Sequence, residues 1–125
     1  MTTAAALEAE YASLTFPRFA EAEAWVLGQK LVELAGSAPI VINIRSADRV
    51  FFHASLPGSA PLNDLWARRK SNTALLFQLP SFLVGARNRE NGHTLARHGL
   101  SEADYADHGG AVPIRVTGVG VVACA

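Results

Sequence analysis

The spacing of apolar and polar positions divides the 125-residue chain into helices and strands. Residues 4–12 read as a short helix, followed by an extended stretch, Leu14-Thr15-Phe16-Pro17. From Ala20 to Ala35, positions 24, 27, 28, 31 and 35 recur at helical spacing, and Trp25 and Val32 widen the stripe. Gly36 stands where a helix C-cap takes a left-handed residue. The β-branched run Pro39–Ile44 predicts a strand, 46–49 a turn, and Val50–Ser55 a returning strand. Period-two alternation puts Ile40, Ile42 and Ile44 on one face and Val41, Asn43 and Arg45 on the other.

After a Pro- and Gly-rich loop at 56–61, Asn63 is placed to cap a helix running from Asp64 to about Phe77. Asp64 and Arg68 then stand at i,i+4 and can pair, while Trp66, Thr73 and Phe77 form an inner line. Pro80 ends that helix, and Ser81 can cap a shorter one that Gly92 terminates. Residues 101–104 have the form of a capping box for one more turn. The segments 112–117 and 119–124 close the chain as a hairpin turning at Gly118. Helix, hairpin, helices, hairpin predicts a single α+β domain over residues 1–125: two layers, with helices packed on one face of an antiparallel sheet.

Composition shifts this picture toward association. Half the residues are hydrophobic, 18% are charged and the mean hydropathy is +0.17. A chain of this size buries about two thirds of its unfolded surface, so part of that apolar content is expected to be covered by another copy of the chain. Formal net charge is zero and the isoelectric point about 6.9, which gives no overall field toward nucleic acid or anionic lipid. The single cysteine, Cys124, cannot form an intrachain disulfide. The N-terminus lacks a basic segment and meets Glu8 and Glu10 early, unlike a signal peptide. No apolar run reaches the roughly 20 residues that span a bilayer. A cytoplasmic location is expected.

Several stretches resemble the GlcG/HbpS-like haem-degrading-domain family, in a branch to which no activity is attached. They are residues 53–58 (His-Ala-Ser-Leu-Pro-Gly), Asn63-Asp64-Leu65-Trp66 with Arg68-Arg69-Lys70, and Thr94-Leu95 with Gly99-Leu100 and Asp104-Tyr105. The run of glycines, Pro113 and valines from Gly109 to Gly120 completes the likeness, which extends from about Phe16 to Val122. The resemblance implies a profilin- or PAS-like sheet and oligomers assembled largely through helices. It also implies a Val-Ser-Gly turn and a C-terminal helix beyond the last strand, which this chain, ending at Ala125, does not include. Haem binding or degradation is the activity the family name implies.

Candidate chemistry is sparse. Of the four histidines, His93 and His98 are five apart among glycines and share no helical face, and His108 precedes two glycines. His53 lies on a strand beside Ser55, where a hydrogen-bonded structural role competes with ligand binding. Structural zinc and obligatory haem are therefore not expected, and a haem, were one bound, would take His53 or His108 as its ligand. No nucleophile elbow is present, and Gly118-Val119-Gly120 copies a dinucleotide fingerprint without the helix that motif must open. The charge cluster Arg68-Arg69-Lys70 is the sharpest feature, because three consecutive helical residues fan out over roughly 200° and cannot all face solvent. Of Arg69 and Lys70, three and four residues after Trp66, one or the other is expected to hold a fixed polar contact to a loop carbonyl, a carboxylate or an anion. Arg68 is expected to face solvent with Asp64. Candidate ligand- or anion-binding residues are Arg69, Lys70, Asn63 and His53. The sequence reads as a non-catalytic, homo-oligomeric binding or scaffold protein; haem binding or degradation, or a small-molecule sensor role, is the alternative.

Overall fold

Helices and strands appear in the order the periodicity predicts, with one short addition. The computed structural model describes residues 3–12 and 14–125. The elements are α1 (Ala4–Ala12), α2 (Glu21–Ala35), β1 (Val41–Arg45), β2 (Val50–Ser55), α3 (Pro61–Phe77), α4 (Ser81–Asn91), β3 (Pro113–Val116) and β4 (Gly120–Cys124). The addition is a 3-10 turn over Leu95–His98.

Local chemistry fixes the helix ends. At the start of α2 the Ala20 N–H donates to Glu23 Oε1 at 2.8 Å, and Glu21 and Glu23 place negative charge in the first turn. Helix α3 begins three residues before the expected Asp64. Pro61 supplies the fixed φ that suits a first helical position, and the Ala60 N–H donates to Asn63 Oδ1 at 2.8 Å. Asn63 therefore reaches back from the third helical position, where it was expected to be the cap itself. Ser81, also expected as a cap, is the first residue of α4 and turns inward to the Ala111 backbone. The 101–104 segment makes a hydrogen-bonded turn and no helix, with the Ala103 N–H on Ser101 Oγ at 3.1 Å.

The sheet is antiparallel with strand order β2-β1-β4-β3. Phe16 forms a parallel bridge with Val116 at the β3 edge: its N–H donates to the Arg115 carbonyl at 2.8 Å and its carbonyl accepts from the Thr117 N–H at 3.0 Å. The extended stretch around Phe16 thus finds a partner.

The antiparallel α+β sheet is the expected one, but its helices cover both faces where one was expected. Ala24 of α2 packs with Ile44, Ile114 and Ala123, and a Cβ on Gly28 of α2 would come 2.4 Å from the Phe52 ring. Cys124 instead packs with Ala74 of α3 and has the Ser71 carbonyl 3.9 Å from its sulfur. Ala123 and Cys124 are adjacent and both fully buried, so β4 is covered from either side. The reason is legible in retrospect: Gly120–Cys124 carries no polar position and reads as a strand buried on two faces. Helix α4 then packs on α3, and α1 on α4.

Strands β1 and β4 meet at a single register pair, Arg45 with Cys124. Beyond it the sheet parts, and a cleft of about 660 Å³ opens between β1, the start of β3 and α2, with Leu27, Leu31, Ile42 and Ile114 in its walls.

Helix α4 is tied to the 105–110 loop by close approach at Gly85, where an added Cβ would lie 1.9 Å from the Asp107 carbonyl oxygen. Backbone on both sides leaves little room to adjust. Gly85→Ala is expected to cost about 1–3 kcal/mol or more, seen as a lower melting temperature by circular dichroism; an unchanged melting point would mean that this loop is not seated on α4.

Candidate functional site

Two polar constellations lie on the α3 side of the sheet. In the first, Asp64 of α3 accepts from Ser55 Oγ at 2.7 Å and from His53 Nε2 at 2.8 Å, while His53 Nδ1 sits 2.9 Å from Asn43 Nδ2. With Nε2–H donating to the carboxylate, Nδ1 is the acceptor for the Asn43 amide. Ser, His and Asp are the residues of a nucleophilic triad, but their connectivity here is different. A triad base faces serine with one ring nitrogen and the acid with the other. Here Ser55 and Asp64 both approach Nε2, and the serine proton rests on the carboxylate. This arrangement ties β2 to the first turn of α3 and does not activate Ser55. The hydrogen bonds from Ser55 and then His53 hold the Asp64 carboxyl below its ordinary value of 3.8. Asn43 Oδ1 is buried without a partner among the described residues.

The second constellation surrounds Trp66. The Arg69 guanidinium lies over the indole with Cζ 4.3 Å from the ring centroid, and Lys70 Nζ is 5.6 Å from it. His108 meets the same ring edge-on at 5.5 Å between centroids. Arg69 Nη2 donates to the Tyr105 carbonyl at 3.4 Å, and Arg69 Nε is buried without a partner among the described residues. A cavity of about 370 Å³ opens on the Arg69 side, lined by Leu95, Tyr105 and His108; another of about 470 Å³ opens on the Lys70 side beside Asn63 and Gly110.

The four sequence candidates thus separate. Arg69 and Lys70 meet on Trp66, where the fixed contact is chiefly to an aromatic face. Asn63 caps α3 at the edge of the Lys70 cavity, and His53 belongs to the β2–α3 tie. The expected Asp64–Arg68 pair does not form. Ser55 and His53 take the carboxylate, and Arg68 donates to Asp104 Oδ1 at 3.2 Å and to the Ala103 carbonyl at 2.9 Å. His108 stood among the sequence candidates only as a haem ligand beside His53; nothing local in the sequence shows that a loop 42 positions away ends on Trp66. Of the other histidines, His93 bonds to Arg97 and His98 packs edge-on against Phe77. Among the described residues, no group of three or more His, Cys, Asp or Glu side chains gathers as metal ligands would. Burial pushes the Cys124 thiol up, making it a poor nucleophile. No helix of the described residues is long and apolar enough to cross a membrane.

The family model described as "Haem degrading protein HbpS-like" matches residues 19–125, and the chain belongs to that family. Among its relatives, the UPF0303 protein of Streptomyces coelicolor is 46% identical over 123 residues, covering 96% of this chain and 78% of the relative. The UPF0303 protein of Burkholderia thailandensis is 46% identical over 114 residues, covering 88% of this chain and 68% of the relative. The crystal structure of the Ybr137w protein superimposes with a TM-score of 0.88 at 27% identity, covering 98% of this chain and 75% of that one.

The depressed Asp64 carboxyl gives a signed pH test. A group whose folded pKa is lowered contributes stability above its unfolded value and loses it as pH falls through the folded one. Asp64→Asn should melt below the unaltered protein at pH 7, and the gap should close as pH is taken below 3.8. A gap that stays constant with pH would assign the loss to amide packing.

Proposed function

We propose that this protein is a non-catalytic binding or scaffold protein that assembles with copies of itself. The observation that supports this reading is where the exposed apolar side chains fall. Leu14, Leu34, Ile40 and Val112 are all exposed, Leu34 to 71%, and all four fringe the 660 Å³ cleft whose interior is itself apolar. Singly scattered apolar residues need no explanation, whereas a contiguous patch around a concave surface marks an interaction site. The absence of an activated nucleophile in the Ser55–His53–Asp64 arrangement favours binding over catalysis.

Haem binding is the second reading, supported by the description of the family. His98 and His108 have ring nitrogens without a hydrogen-bond partner among the described residues, and His108 opens onto a cavity. His53, with both nitrogens engaged, is the poorer axial ligand.

Native mass spectrometry with light scattering separates the two. Self-association should give a defined oligomer without chromophore, with an interface on the order of 1,600 Å² in total, and Leu34→Glu should shift it toward monomer with the far-ultraviolet spectrum unchanged. A wild-type monomer at micromolar concentration would remove this proposal. A haem role would give a saturating Soret shift at one haem per chain that His108→Ala weakens.

A further inference from the structure

We propose that the cavity between Arg69 and the 94–108 segment is a binding site for a small oxyanion, a phosphate or carboxylate group, with Arg69 as its principal donor and His108 beside it. The site would be carried by a monomer and stands apart from the self-association reading.

The case begins with an unmet donor. Among the described residues Arg69 Nε is buried without an acceptor and closed to a ligand as it stands, and Nη2 has only a long contact, 3.4 Å, to the Tyr105 carbonyl, which leaves the Nη end of the guanidinium under-used. Buried polar groups nearly always have partners, so an orphaned donor needs a cause. Stacking on Trp66 at 4.3 Å fixes the plane of the guanidinium. Its N–H groups lie at the edge of that plane, in the fork that matches two oxygens of a carboxylate or phosphate.

Charge bookkeeping within α3 agrees. Among the described residues, Arg69 and Lys70 have no carboxylate within ion-pairing distance, whereas their neighbour Arg68 is paired with Asp104. The cavity beside Arg69 holds about 370 Å³, room for a phosphate or a short carboxylic acid, with buried Leu95 in its wall and the His108 ring at its side. Two carboxylates also line it. Asp107 Oδ2 already accepts from Asn88 Nδ2 at 2.9 Å, and Glu102 is exposed. Glu102 therefore opposes an incoming anion, and its removal should strengthen binding.

The test uses the full chain with Trp25→Phe, so that Trp66 is the reporting indole, titrated with inorganic phosphate at constant ionic strength. Saturable quenching is expected on the order of 1–10 mM, an affinity suited to so small a ligand. Arg69→Met keeps an apolar stem over Trp66 and should weaken binding about tenfold or more. Glu102→Gln, at an exposed position, should strengthen it about two- to fivefold. Lys70→Met, on the other side of Trp66, should change it less than about twofold. Non-saturating quenching, an equal loss in the Arg69 and Lys70 variants, or an unchanged affinity in Glu102→Gln would overturn the proposal. The last variant keeps the test open should Arg69→Met unfold.

Discussion

Two buried hydroxyls hold the irregular stretch that connects α4 to β3, and the α3 side of the molecule depends on them. Thr73 Oγ1 donates to the Arg69 carbonyl at 3.2 Å and accepts the Ala106 N–H at 3.1 Å. Ser81 meets Ala111 three times, through its own N–H at 2.9 Å and through Oγ to both the N–H and the carbonyl. A loop pressed against a core must satisfy its backbone groups or leave them in water. Arg68 and Asn72 supply the outer partners, on the Ala103 and Asp104 carbonyls. With the loop fixed at Ala106 and Ala111, His108 lies between two anchors and is delivered to Trp66.

The same anchoring determines what the sheet can do. Ala111 leads directly into the Val112–Ala125 pair, where each N–H donates to the other's carbonyl at 2.8 and 3.0 Å. The chain therefore enters β3 at a fixed height, and β4 is set against it, sharing only the Arg45–Cys124 pair with β1. From that single contact follows the cleft, because the apolar side chains of α2 then face a sheet that has parted. Half the residues are hydrophobic, and the exposed ones at the cleft rim show where a chain this short leaves the excess.

Much of this architecture was legible in the amino-acid sequence, because periodicity reports burial and burial makes the elements. The α2 stripe, the β1–β2 hairpin, Gly92 as a helix stop and the closing hairpin at Gly118 all announce themselves locally. The second covered face was also written there, in the uninterrupted apolar run of β4, which an expectation of helices on one face of the sheet does not use. Helix α3 starts early because Pro61 and Asn63 act together, and an N-cap rule applied to Asn63 alone misses that. The site was half legible. Trp66, Arg69 and Lys70 stand at i,i+3 and i,i+4, a spacing that brings side chains together. The partners of Asp64 and Arg68 were not, since the nearest oppositely charged residue along a helix competes with groups that only the fold brings near. Ser55 and His53 won Asp64, and the turn at Asp104 won Arg68.

Arg68, Arg69 and Lys70 show how one charge cluster divides into three chemistries. Successive residues on a helix rotate by about 100°, so each faces a different neighbour. Arg68 meets a carboxylate and a carbonyl at the surface, an exposed pair of the kind that contributes under about 1 kcal/mol. Arg69 turns inward over an indole. A guanidinium is weakly hydrated and planar, so it can give up water on one face to a ring and still present donors at its edge. The Lys70 ammonium is more strongly hydrated, and it lies farther from the ring centroid, beside the larger of the two cavities flanking Trp66. Exchanging Arg69 for lysine would conserve the charge and lose the stacked plane. Whatever this face recognises depends on that plane more than on the number of positive charges.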